Sequence, residues 1–421
     1  MSDLRRLLFV IAALAGAVAA LPARAFSDCF ADTTLRVDFV LSATAGTERN
    51  VTVAFSGLSR TQGWAGRRVN LDRVAVPGNG DVTVTDAVTG DTLYMQSFST
   101  LFHEWLESGE THVPRAMEGT VRVPWPRREV DVTVTLRDNR RQRLAGGSIA
   151  VDPEDILIAD RTARKPVEQR ALFRGSEPDT AKIKVAILAE GFTGAEMDRF
   201  MDYARQTVDA ILEAEPFASR AQSFDFTALL TASADSGVSV PVEGEWRRTA
   251  FDSHFSTFGS DRYLTSPSVH KIYDALDGAD ADHVIILANT DTYGGGGIFN
   301  FYTLTTTGHE QFRRVVVHEF GHSFAGLGDE YYYDTDDFAA ETYPLDVEPW
   351  EANITTRVDF TVKWQPLIDA GEASLVEGGG YRGHGIWRGA DDCRMRSNSA
   401  EGFCAVCRRA IEIVIGSYTG R

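Results

Sequence analysis

The sequence predicts an α+β chain in two parts, a β-sandwich over residues 26–160 followed by an α/β domain over 179–421. Three observations predict this. Apolar residues alternate with period two in short runs between residues 34 and 150. Strand-like and helix-like runs then alternate from residue 182 onward, the pattern of an α/β domain. Between them the stretch 161–178 is charged and aperiodic and reads as a linker.

Residues 1–25 stand apart. Arg5 and Arg6 precede an apolar run over 7–21, which ends in Pro22-Ala23-Arg24-Ala25. A basic start, an apolar middle and a small-x-small ending make a secretory signal peptide, cleaved after Ala25. The run is short for a membrane span of about 20 residues. Export to the periplasm or the exterior is therefore expected, with no membrane span in the mature chain.

The β region follows. Runs over 35–40, 51–55, 82–85 and 130–135 alternate apolar and polar residues, separated by turn sequences such as Pro77-Gly78-Asn79-Gly80-Asp81. In the second region, 182–188, 224–231 and 283–288 read as strands. Helices are expected over 195–215, with Thr193 as N-cap, and over 269–276 and 407–415.

Composition bounds the function. The 421 residues are 43% hydrophobic with a net charge of −18, so the chain is globular and lacks the basic stripe that nucleic-acid binding needs. The four cysteines, Cys29, Cys393, Cys404 and Cys407, suit disulfides in an exported protein, and sequence leaves their pairing open. A structural zinc site would need two partners beyond the Cys404-x-x-Cys407 pair. The sequence does not indicate an oligomeric state.

The chemistry concentrates in His318-Glu319-Phe320-Gly321-His322. Phe312, Val316, Phe320 and Phe324 recur every four residues and mark the buried face of a helix. His318 and His322, also four apart, project from one face and can bind one zinc ion. Glu319 is rotated by about 100°, placed to act as general base toward a zinc-held water without being a ligand. Gly326-Leu327-Gly328 then ends the helix and lets the chain return a third ligand. Asp329 is the first candidate, ahead of Glu330 and His384, and a His₂Asp set would leave a position open for water.

The run HEFGHSFAGLGDEY resembles the signature of the bacterial IgA-peptidase family, metallopeptidases related to the metzincins. Further matches are Leu93-Tyr94-Met95-Gln96-Ser97-Phe98 through Glu104-Trp105, the segment from Val347 to Thr356, and Cys393-Arg394-Met395-Arg396-Ser397. The resemblance covers most of the mature chain, and the β region is similar to that family's N-terminal domain. It implies a metzincin-like cleft and a protein or peptide substrate. Met395 would be the methionine of a Met-turn, an apolar floor beneath one catalytic zinc. Metzincins usually place the third ligand six residues after the second histidine, where this chain has Gly328. Cleavage of IgA itself belongs to larger family members and is not implied here.

In such a layout the glycine-rich run with Gly296, Gly297 and Phe299 would be the strand above the cleft, able to contact an extended substrate. Tyr331, Tyr343 and Tyr381 are candidates for stabilising the oxyanion, and Tyr381 also for contacting substrate. The acidic run from Asp329 to Glu351 could bind Ca²⁺, although no EF-hand pattern is present. Gly378, Gly380 and Gly383 match a dinucleotide fingerprint only formally and read as a loop. The rival to a secreted zinc endopeptidase is an exported, non-enzymatic binding or adhesion protein with a structural metal. Glu319 separates them, because a closed structural site has no need of a carboxylate beside its first histidine.

Overall fold

The computed structural model describes residues 25–46, 50–333 and 342–420. Residues 1–24, nearly all of the expected signal peptide 1–25, lie outside them. Eight strands come from the first region: β1 (Phe30–Ala43), β2 (Val51–Gln62), β3 (Gly80–Asp86), β4 (Thr92–Phe98), β5 (Arg115–Pro126), β6 (Val130–Arg137), β7 (Arg143–Val151) and β8 (Ala159–Asp160). They form two four-stranded sheets, in the orders β5-β1-β2-β8 and β4-β3-β6-β7. Apart from the parallel two-residue β8, all pairs are antiparallel. The period-two runs of β3 and β6 bury alternate residues as expected, while in β2 Val51, Val53 and Phe55 are only half-buried. Val130, Val132, Val134 and Leu136 of β6 are inaccessible, while the residues between them are half-buried. A short helix, Leu101–Glu107, joins β4 to β5, with the Thr100 hydroxyl accepting from His103 N at its start. Its period was hidden among the strands.

The second region is built on a six-stranded sheet. Its strands are β9 (Gln169–Arg174), β10 (Ile183–Glu190), β11 (Phe224–Leu229), β12 (His283–Ala288), β13 (Gly295–Ile298) and β14 (Tyr302–Thr306), ordered β13-β14-β12-β10-β11-β9. The four central strands are parallel and the two edges antiparallel. The stretch expected as a linker therefore supplies an edge strand, β9. Its outer face is wet, so its apolar period is too weak to read.

The central strands are buried on both faces. Val185, Ile187, Ile285 and Leu287 face one apolar cluster, shared with the helices Met197–Glu213, Phe312–Ala325 and Ala405–Thr419. Ala186, Leu188, Val284 and Ile286 face the other way. They belong to a second cluster, continuous with Val37, Phe39, Val132 and Trp105 of the first region. The two regions thus share one core across the sheet.

Finally, β15 (Tyr332–Tyr333), β16 (Ile354–Thr355), β17 (Val376–Gly379) and β18 (Tyr381–Arg388) make a small sheet beyond the helix Phe312–Ala325. No helix among the described residues is long and apolar enough to cross a membrane.

Candidate active site

The helix Phe312–Ala325 buries Phe312, Val316, Phe320 and Phe324. Its other face turns His318, Glu319 and His322 toward a cleft of about 630 Å³. The two imidazole Nε2 atoms are 3.0 Å apart. Asp329 Oδ1 stands 3.2 Å from His318 Nε2 and 3.3 Å from His322 Nε2. His318 Nδ1 donates to Arg394 O at 2.9 Å and His322 Nδ1 to Leu327 O at 2.5 Å. A carbonyl only accepts, so each Nδ1 carries the proton and each Nε2 keeps its lone pair for the centre. Tetrahedral zinc with Zn–N and Zn–O near 2.1 Å would space such atoms about 3.4 Å apart. The residues present fit the ion.

The electrostatics agree. Burial opposes charge on His322, but the adjacent Asp329 outweighs it and raises the imidazole to about 9. Burial likewise opposes the Asp329 charge, yet the two imidazoles hold its carboxyl far below the usual range. The centre therefore favours a positive charge between its ligands. Glu319 lies within 4.8 Å of both imidazoles. Burial pushes its carboxyl up, against the pull of His318 and His322. Of the two carboxylates, Asp329 meets both Nε2 atoms at ligand spacing.

Several elements place Asp329. Gly326 caps the helix at φ 59° in the left-handed region. Asn353 then clamps the turn, its side chain bonding both Gly328 N at 2.8 Å and Gly328 O at 2.9 Å. The β17–β18 hairpin closes through Gly380 and Tyr381, both at positive φ, a two-residue turn of the type that suits hairpins. From that turn Gly380 N donates to Asp329 O at 2.8 Å, and Tyr381 OH donates to Asp329 Oδ2 at 2.5 Å. One carboxylate oxygen is held while the other faces the histidines. The rival third ligands lie elsewhere. Glu330 turns toward Cys393, Cys404 and Cys407, and the His384 side chain is 84% exposed beside Glu377.

Met395 is inaccessible to solvent. A Cβ at Gly321 would lie 2.8 Å from its sulfur, so it sits directly against the helix that carries both histidines. Glu330 N donates to Met395 O at 2.8 Å, tying its loop to the turn after Asp329.

The glycines of β13 let the strand approach the helix closely. A Cβ on Gly297 would lie 2.2 Å from Glu319 O, and one on Gly295 would lie 2.7 Å from Glu319 Oε1. Strand addition meets an obstacle, however. Gly295 N donates to Arg262 O at 3.3 Å and Gly295 O accepts from Leu264 N at 3.4 Å, so the outer edge is already engaged there. Gly296 packs under Tyr263. Phe299 forms cleft wall, buried and stacked on Trp350 at 5.8 Å, with its N–H and C=O both bonded to Ser99. Among the oxyanion candidates, the Tyr343 hydroxyl is directed to Glu351 at 3.0 Å. The Tyr331 ring packs against Tyr381 at 5.3 Å.

One wall comes from the first region. Glu104 of the helix Leu101–Glu107 lines the cleft and accepts a hydrogen bond from Tyr263 OH. Burial raises its carboxyl to about 7. Sequence reasoning gave Glu104 no role, because its opposite, Tyr263, is 159 residues away in the chain.

One expectation changes. The disulfides expected of an exported chain are not formed. Cys393, Cys404 and Cys407 are thiols gathered round Glu330, and one bridge among three would leave a sulfur over. Of the acidic run considered for Ca²⁺, Asp334, Asp336, Asp337 and Glu341 lie outside the described residues. Asp346 pairs with Arg140 at 2.8 Å and Glu348 with Lys363 at 2.9 Å, so these two are already engaged.

A family model described as IgA Peptidase M64 matches residues 172–375, and one described as Peptidase M64 N-terminus matches residues 25–145. No curated protein matches the chain. The first match includes the helix with both histidines, Glu319 and Asp329, and these matches do not favour the non-enzymatic alternative. Together the two models cover most of the sequence, so the chain belongs to the IgA-peptidase M64 family, N-terminal domain included, and it is a metallopeptidase.

Proposed function

We propose that this chain is an exported zinc-dependent endopeptidase, with His318, His322 and Asp329 as metal ligands and Glu319 as general base. One observation carries the reading. Two imidazole Nε2 atoms and one carboxylate oxygen converge within 3.0–3.3 Å, each imidazole locked through its other nitrogen. Bound there, zinc would supply Lewis acidity toward a water and the scissile carbonyl.

The remaining work falls to the chain. Glu319 takes the proton of the attacking water and passes it to the leaving amine. Burial raises its basicity toward what that transfer needs. Tyr381 fixes the orientation of Asp329. The cleft between the glycine strand and the helix Leu101–Glu107 receives the substrate chain and excludes solvent around Glu319. In this reading the cleft is metzincin-like, Met395 is the methionine of its Met-turn, and the two N-terminal sheets form a β-sandwich. Asp329 follows His322 by seven residues, one more than is usual in that layout.

The test compares Glu319→Ala with His322→Ala on a diverse peptide mixture, with metal analysis alongside. Loss of the base should cost about 10² to 10⁴ in rate while zinc stays. Loss of the ligand should remove zinc and activity together. Near-normal turnover by Glu319→Ala would refute the general-base assignment. Export is tested by sequencing the N-terminus of the mature protein, which should begin at Phe26.

A further inference from the structure

The three thiols of the C-terminal segment and one carboxylate meet behind the active site. The ligand atoms of Glu330, Cys393, Cys404 and Cys407 all lie within 4.8 Å of one another. Cys393 Sγ is 3.6 Å from Cys407 Sγ, and Cys407 Sγ is 3.1 Å from Glu330 Oε1. Tetrahedral zinc with Zn–S near 2.3 Å and Zn–O near 2.1 Å would set these edges at about 3.8 and 3.6 Å. A disulfide would need a separation of about 2.05 Å.

Further features fit an ion. Glu330 is fully buried, and its Oε2 has no hydrogen-bond partner among the described residues. A buried carboxylate oxygen without a donor is costly. Cys404 N donates to Cys393 Sγ at 3.2 Å, an amide aimed at a sulfur where a thiolate would need it. Cys404 also occupies the N-cap position of the fifteen-residue helix Ala405–Thr419, whose positive end favours an anionic sulfur. The buried side chains of Arg388 and Arg394 stand close enough to offset part of the negative charge.

We propose that Glu330, Cys393, Cys404 and Cys407 form a second, structural zinc site, separate from the histidine centre. The set is closed, three sulfurs and one oxygen with no position left for water, as structural zinc sites are. Thiolate-rich tetrahedral ligands suit zinc over the oxygen-seeking cations. Binding releases the thiol protons to solvent and changes no oxidation state. The site's task follows from its neighbours in the chain. Glu330 adjoins Asp329, and Cys393 adjoins Arg394, whose carbonyl holds His318. The ion would pin the loop that delivers Asp329, the Met395 loop and the last helix to one point.

The test is elemental analysis of the full-length mature protein with two variants. Wild type should hold about two zinc per chain, and His322→Ala and Cys404→Ser about one each. To guard against misfolding of Cys404→Ser, His322→Ala is also reconstituted with Co²⁺. Thiolate-to-cobalt charge-transfer absorption should appear in a variant that lacks the histidine centre. Failure of the histidine reading would show as zinc unchanged in His322→Ala, leaving the sulfur site standing. A Cys393–Cys407 disulfide found by mass spectrometry in active protein would overturn the proposal. So would the absence of cobalt–thiolate absorption in His322→Ala with Cys393, Cys404 and Cys407 all titrating as thiols.

Discussion

Gly297→Ala tests whether the glycine strand sets the position of the catalytic helix. The added Cβ would stand 2.2 Å from Glu319 O and 2.7 Å from the His322 Cβ, where ordinary contact begins at 3.4 Å. Both neighbours are rigid, one being backbone, so strand and helix must part by about 1 Å, the shortfall from normal contact. Overpacking of that kind costs about 1–3 kcal/mol of stability. The catalytic cost should be larger, because a 1 Å misplacement of reacting groups is worth about 10²-fold in rate. The assay is kcat on a cleaved peptide, with Tm and zinc content measured on the same samples. Gly57→Ala is the control, since a Cβ there meets nothing within 4 Å, and its stability should stay within about 0.5 kcal/mol. A folded, zinc-loaded Gly297→Ala with kcat within twofold of wild type would refute the reasoning.

Three further outcomes are expected. Tyr381→Phe removes the hydroxyl bonded to Asp329 Oδ2; competition with a chelator should show metal affinity reduced about 10–100-fold, the usual effect of losing a group that orients a ligand. Asn353→Ala strips the clamp from Gly328 N and O and from Glu330 Oε1; with each unpaired buried group costing about 1–3 kcal/mol, the urea midpoint should fall clearly while the m-value stays constant. His103 is buried, which lowers its pKa to about 4. The folded chain therefore binds fewer protons there than the unfolded chain between pH 6.5 and 4, and stability falls as pH drops through that window, by about 3 kcal/mol. The pH dependence of chemical denaturation should be flatter by that amount in His103→Gln, and identical slopes would refute the assignment.

The features legible in the sequence were those with strong local signals. The strands around Val130–Thr135 and the helix through Phe312 to Phe324 repeat at their natural periods, and Gly326 ends that helix as glycine should. Asp329 could be proposed because it follows the glycine turn directly. What escaped was set by distant partners. Strand β13 is four residues, three of them glycine, and has no hydrophobic period to read. Tyr381 reaches Asp329 through a hairpin turn 52 residues away. The sulfur cluster escaped because compartment suggests the redox state of cysteines, while only the fold brings Glu330 among them.

The shared apolar cluster bears on how this enzyme could be shortened. Ala186, Leu188, Val284 and Ile286 lie in the same core as Val37, Phe39 and Trp105. Ser99 bonds both main-chain groups of Phe299, while the Asn300 side chain reaches Ser97 O at 2.7 Å. Cutting the chain near residue 161 would uncover part of the apolar cluster on one face of the six-stranded sheet and open a side of the cleft. The N-terminal sheets are therefore not a detachable accessory. A minimal protease starting after them would inherit a sticky sheet and a cleft missing one wall, and the intact chain should melt as one cooperative body.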